Sequence, residues 1–178
     1  NTAISAPAAP VKKGYTFIGW DKDIPDRMPA ENILLTAKWS KDVYKIAYNL
    51  NGGEADNPGT YEVDSSVITL KTPVRKGYTF TGWSGTGIDG TSKEVVITTG
   101  STGDRTYTAN WKENSYTVQF IPYGDGTTGS MDEMSLMYTA EAAIGDNKFV
   151  RPGYTFAGWY EDEALTKKYE IPDTMPNE

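Results

Sequence analysis

Apolar and polar residues alternate along Leu35-Thr36-Ala37-Lys38-Trp39 and again along Tyr107-Thr108-Ala109-Asn110-Trp111. A period of two puts every second side chain on one face, so both stretches read as half-buried strands of an antiparallel or mixed sheet. Tyr44, Ile46, Tyr48 and Leu50 against Lys45, Ala47 and Asn49 repeat the pattern. In Gly14-Tyr15-Thr16-Phe17-Ile18-Gly19-Trp20 the same alternation turns Tyr15 and Phe17 inward but would send Trp20 outward. A β-bulge at Gly19 corrects this, because a bulge adds one residue and re-aims the side chains beyond it, and glycine tolerates its backbone. Helical periodicity is poor. The best candidates, Met131 to Met137 and Glu161 to Lys168, sustain no i, i+3, i+4 apolar stripe. Asn51-Gly52-Gly53 and Asp125-Gly126 are turn signals, and Pro7, Pro10, Thr72-Pro73 and Pro152 favour extended entries into the next strands.

These elements recur. Gly-Tyr-Thr-Phe-x-Gly-Trp occurs at 14–20, 77–83 and 153–159, and its open position holds Ile18, Thr81 and Ala157, as a solvent-facing site would allow. Trp39 and Trp111 stand 72 positions apart, as do Tyr44 and Tyr116. The chain is therefore a tandem array read by its unit: residues 1–39 are the C-terminal part of a first repeat, 44–111 a complete second repeat, and 116–178 a third. Ser40 to Val43 and Lys112 to Ser115 read as four-residue polar connectors, too short for free rotation of neighbouring units. The expectation is a mainly β, elongated and semi-stiff array of small modules with little helix, about 80 Å long by the compact-domain rule. Ile171 to Glu178 aligns without a gap on Ile24 to Glu31, so the third unit stops before a counterpart of Ile33 to Trp39, and the first lacks one of Tyr44 to Leu50. The chain thus reads as a piece of something larger, with terminal units expected to be less ordered than 44–111 or to pair with another copy.

Composition narrows the function. Eighteen Gly, ten Pro and twelve Tyr suit turns between aromatic strands, as in an extracellular β-rich protein. Zero cysteines exclude a disulfide framework and a thiolate metal site. A net charge of −7 opposes nucleic acid or an anionic membrane surface as the general partner, and no stretch of about 20 apolar residues spans a bilayer. With no His, no Cys, no Gly-x-Ser-x-Gly and no P-loop, nucleophilic and phosphate chemistry lack their usual groups. The 24 Asp and Glu leave a carboxylate pair open, although such a pair has no reason to sit in a module that varies at its acidic positions. Asp21-x-Asp23 and Glu161-Asp162-Glu163 come just after the motif Trp and are candidate calcium ligands, but the middle copy has Ser84-Gly85-Thr86 there, so a solvated acidic loop is favoured. No metal or cofactor is expected. Lys12, Lys13, Arg75 and Lys76 read as a solubilising basic corner.

The order Tyr-x-Ile/Val-x-Tyr/Phe, Gly-Gly, Pro-Val-x-Lys-Gly-Tyr-Thr-Phe-x-Gly-Trp, Met-Pro-Ala-Glu-Asn-Ile-x-Leu-x-Ala-x-Trp closely resembles the Listeria/Bacteroides repeat, the B-repeat of internalin-type surface proteins. The likeness covers nearly the whole chain, with residues 116–178 resembling a longer variant. It implies small β-grasp-like modules, usually in tandem on secreted or cell-wall-attached bacterial proteins, with no catalytic residues to carry over. The residues that define the unit are then structural: Tyr15, Phe17, Gly19, Trp20 and Trp39; Tyr78, Phe80, Gly82, Trp83 and Trp111; Tyr154, Phe156, Gly158 and Trp159. Phe80, Trp83 and Trp111 are expected in the core, in preference to an exposed sugar-stacking platform. Two function classes remain open: a stalk that projects an adhesive or other domain, and an adhesion module that binds a host or bacterial surface protein or glycan. Clustered exposure of Tyr61, Tyr123, Tyr138 and Tyr160 would favour the second.

Overall fold

The computed structural model describes residues 4–5, 7–140 and 143–169. Ile171 to Glu178, the segment aligned on Ile24 to Glu31, lies outside them. Described residues form strands, turns and bends, with no helix among them. The chain folds as two compact units, Asn1–Pro73 with Phe80–Asn110, and Val74–Thr79 with Trp111–Glu178. They are not coextensive with the repeats, since the second unit takes the Gly-Tyr-Thr turn of repeat 2.

In the first unit, β1 (Tyr15–Trp20) pairs antiparallel with β2 (Ala37–Lys41). Phe17 faces Trp39 and Gly19 faces Lys38, so Ile18 is the extra residue of a bulge and stands 61% exposed. Gly19 has φ +123, a backbone that side-chain-bearing residues rarely adopt. The main sheet runs β4 (Thr60–Glu62), β3 (Val43–Asn49), β8 (Arg105–Glu113), β6 (Tyr78–Gly85). Its β3–β8 pair is parallel, Ile46 to Asn49 beside Arg105 to Thr108. Parallel strands need a long crossover; here residues 50–104 supply it, with β5 (Ile68–Thr69) paired to β7 (Val96–Ile97) on the way. The turn that opens the crossover is Asn51-Gly52, both at positive φ.

Among the described residues every buried hydrophobic side chain belongs to repeat 2: Ile46, Tyr61, Leu70, Phe80, Trp83, Val95, Ile97, Tyr107 and Ala109. Trp83 is at 0% exposure. Trp111, in phase with Tyr107 and Ala109, is half-buried instead of core, because β3 pairs with β8 no further than Thr108. Asn110, expected to face water, is half-buried and donates from Nδ2 to Gly82 O at 3.0 Å and Ser84 Oγ at 2.9 Å, tying β8 to β6.

In the second unit β9 (Ser115–Val118) pairs antiparallel with β10 (Met134–Met137). The latter lies in a candidate helical stretch, yet it is strand: Met134 and Leu136 are half-buried while Ser135 and Met137 are exposed, a period of two. Glu161 to Lys168, the other candidate, forms turns. Trp159 collects Phe120, Phe149 and Phe156 around it at centroid distances of 4.9, 6.1 and 5.1 Å. The inward reading fails here for Tyr154 and Phe156. They are 67% and 49% exposed, because no described strand pairs with them as β2 pairs with Tyr15 and Phe17.

Candidate functional site

Where one repeat hands over to the next, the chain builds the same small arrangement twice. The polar connectors are scarcely loops: Asp42 alone separates β2 from β3, and Asn114 alone separates β8 from β9. Each of these residues is bonded to the preceding repeat's motif. Asp42 N donates to Gly14 O at 3.1 Å while Thr16 Oγ1 donates to Asp42 Oδ1 at 2.6 Å. Asn114 N donates to Gly77 O at 2.9 Å while Thr79 Oγ1 donates to Asn114 Oδ1 at 2.6 Å. A four-residue strand interruption is thus reduced to one residue, since the preceding motif supplies the backbone partner that sheet pairing no longer provides.

The motif's first glycine makes the approach possible. At Gly14, φ +78, an added Cβ would stand 2.5 Å from Val63 Cβ. At Gly77, φ +76, it would enter the ring of Tyr138. Tyr138 packs edge-on to both Tyr78 and Tyr116, at 5.9 and 6.4 Å. Val63 and Tyr138 occupy the same place on successive repeats, each just after the strand that pairs with the connector strand.

Charged groups close the rim. Lys41 Nζ reaches Glu62 at 3.3 Å and Asp64 at 2.7 Å. Lys41's bond to Asp64 holds that carboxyl below its usual range and raises the lysine. In the second seam Glu113 takes the place of Lys41 and accepts from the hydroxyl and backbone N–H of Thr139, which lowers its pKa. Two residues before each motif glycine a cation lies over the motif tyrosine: Lys12 Nζ 3.7 Å from the Tyr15 centroid, Arg75 Cζ 3.6 Å from Tyr78, Arg151 Cζ 3.9 Å from Tyr154. Lys12 and Arg75 are therefore not a free solubilising corner. Each sits over a motif tyrosine ring at a distance suited to cation–π attraction.

Within the motif, Phe and Trp meet edge to face in all three copies: Phe17–Trp20 at 5.3 Å and 69°, Phe80–Trp83 at 5.4 Å and 67°, Phe156–Trp159 at 5.1 Å and 67°. Gly82 and Gly158 carry φ +147 and +136 at the position of the Gly19 bulge. Tyr78 is half-buried at the seam and Trp20 and Trp39 flank Phe17.

The acidic loops have structural employment. Asp21 Oδ1 accepts from Thr36 N at 2.7 Å, and Asp162 accepts from the hydroxyl and N–H of Thr166 and from Lys167 N; these donors lower both carboxyls. Among the described residues no group of three or more acidic side chains is placed to hold a metal ion. Of the four tyrosines outside the landmarks, Tyr61 is 4% exposed, donating to Gly103 O and accepting from Arg105 Nε, Tyr138 is in the seam, Tyr160 is half-buried, and Tyr123 stands exposed.

The seam escaped the sequence reading, although a signal was there: Asp42 and Asn114 are both Asx residues 72 positions apart, at the centre of connectors read as mere spacers. The model of the Listeria-Bacteroides repeat domain matches residues 1–38, 44–110 and 116–178. The chain belongs to the Listeria-Bacteroides repeat family. Similar chains include a protein of Evansella cellulosilytica named as a Gly-rich membrane protein, 29% identical over 96% of this chain and 20% of its own length. Internalin H of Listeria monocytogenes is 31% identical over 76% of this chain and 26% of its own length. The chain thus spans about a fifth to a quarter of these relatives. No solved structure matches it.

Proposed function

We propose that these Listeria-Bacteroides repeats are a non-catalytic spacer in a bacterial cell-surface or secreted protein, projecting an adhesive or other domain away from its anchor. The observation that carries this reading is the twice-built seam: the motif's Gly14 and Thr16, and again Gly77 and Thr79, fasten one repeat to the next, while Phe80 and Trp83 fill the core of repeat 2. A spacer transmits position, so its connectors must resist bending, and a one-residue interruption bonded on both backbone and side chain suits that demand. The relatives named as a membrane protein and an internalin agree with a surface setting. Tyr123 is the one exposed member of its set, which leaves no aromatic cluster for a glycan platform among those four. Small-angle scattering on the monomer is the test. A spacer is expected to scatter as an extended particle whose maximum dimension is unchanged by ligands; a compact profile, or saturable capture of a defined glycan lost on Tyr123→Ala, would replace the reading by adhesion.

A further inference from the structure

The connection from β6 to β8 is longer in repeat 2 than its counterpart in repeat 1: Trp83 and Trp111 stand 28 positions apart, Trp20 and Trp39 only 19. In a repeat fold such extra length falls outside the shared core, on loops that can take a ligand. Here it opens as an arch, residues 85–94, held at both feet. Trp83 N donates to Ser92 O at 2.7 Å and Ser92 N to Trp83 O at 2.8 Å. Thr86 N donates to Thr106 O at 3.0 Å, and Thr106 N donates to Thr86 Oγ1 at 3.0 Å. Gly85, at φ +135, lets the arch lie against β8, since an added Cβ would run into Thr106 O. Arch and β8 enclose a cavity of about 310 Å³, at the low end of the roughly 300–1,000 Å³ of small-molecule sites.

Arg105 and Tyr107 line this cavity from β8, Asp89 and Glu94 from the arch. Arg105 is half-buried, and its partners are phenols: Nε donates to Tyr61 Oη at 3.0 Å and Nη1 to Tyr107 Oη at 3.4 Å. Among the described residues no carboxylate forms an ion pair with it. A guanidinium has more N–H donors than two phenols use. Asp89 and Glu94 stand exposed at the same cavity, so donors and acceptors are held there without neutralising one another. An anion would meet the two carboxylates and a cation the guanidinium, while an apolar ligand would strip water from all three with no bond in return. Hydroxyls on neighbouring carbons of a sugar accept and donate at once, which matches both. We propose that the cavity is a binding site for a neutral saccharide, with Arg105 donating to its hydroxyls and Asp89 and Glu94 accepting from them. Tyr107 is 1% exposed and offers no stacking face, so selectivity comes from the hydroxyl pattern. The anchored arch lowers the ordering cost of binding. This site goes beyond the spacer role and does not rest on it.

The test titrates the full chain separately with glucose, galactose, mannose and N-acetylglucosamine, with glycine and acetate as charged controls, and follows the Arg105 Nε–H and the amides of 86–94 by NMR. At least one sugar is expected to shift these signals saturably, with a Kd of roughly millimolar size. Arg105→Lys is expected to weaken binding roughly ten-fold or more, the loss of a charge-assisted hydrogen bond. Asp89→Ala combined with Glu94→Ala should weaken it likewise while leaving the amides of β3 and β8 in place, since both side chains are exposed. Tyr123→Ala should leave it unchanged. No saturable shift with any of the four sugars, undiminished binding in the Asp89→Ala, Glu94→Ala chain, or equal shifts with glycine or acetate would each overturn the proposal.

Discussion

Trp83 is the residue on which the second repeat depends most. It is closed from solvent, meets Phe80 at 5.4 Å and Tyr48 at 6.0 Å, and its indole N–H donates to no protein group among the described residues. Trp83→Ala therefore removes burial and no hydrogen bond, at an expected cost of about 3–5 kcal/mol. Thr81→Ala, two residues away on the exposed face, is expected to stay within about 0.5 kcal/mol, and denaturant midpoints of the two variants compare them directly. Burial beside Tyr107 also pushes the Tyr48 phenol up to about 12, so it stays protonated where exposed tyrosines ionise. At the seam, Gly77→Ala adds a Cβ into the Tyr138 ring at φ +76. About 1–2 kcal/mol of backbone strain is expected plus the clash; Tyr138→Ala in the same chain should relieve the clash alone, and a double-mutant cycle separates the two.

At the scale of elements, strands were legible where one face is apolar over five residues, as in β2, β3 and β8, because burial of alternate side chains is a local pattern. The bulge at Ile18 was legible too, from the mismatch between Phe17 and Trp20. Asn110 and Trp111 were misplaced because their surroundings depend on how far β3 runs beside β8, which no local pattern states. The seam was hidden for a related reason. Its partners lie 26 residues apart for Thr16 and Asp42 and 35 for Thr79 and Asn114, and a polar connector looks the same whether bonded or free. Its rim carboxylates give a pH signature. Asp64 and Glu113 are held below their usual values, so the folded state binds fewer protons than the unfolded one, and stability present above the ordinary carboxylate range is lost as pH falls through the depressed values. Asp64 is exposed and Glu113 only half-buried, so the effect is small. At the first seam, an ion pair, salt should weaken it; at the second, a hydrogen-bonded Glu113, it should not. Acid titrations of stability at low and high salt, on Asp64→Asn and Glu113→Gln, check this.

For the molecule as a whole, the seams decide whether neighbouring repeats unfold independently or in a coupled way. Repeat proteins owe their stability to each unit and to its nearest-neighbour interface. Here that interface is made of a glycine that admits its neighbour, a threonine that clasps an Asx side chain, and an Asx amide that finds the glycine carbonyl. Hydrogen exchange at the amides of Asp42 and Asn114 tests this most directly, since a free connector leaves both unbonded. We expect protection at both positions comparable to the flanking strands and reduced selectively by Gly14→Ala or Gly77→Ala at the seam concerned. Exchange at the rate of an unstructured peptide at Asp42 and Asn114 in the intact chain would contradict the seam.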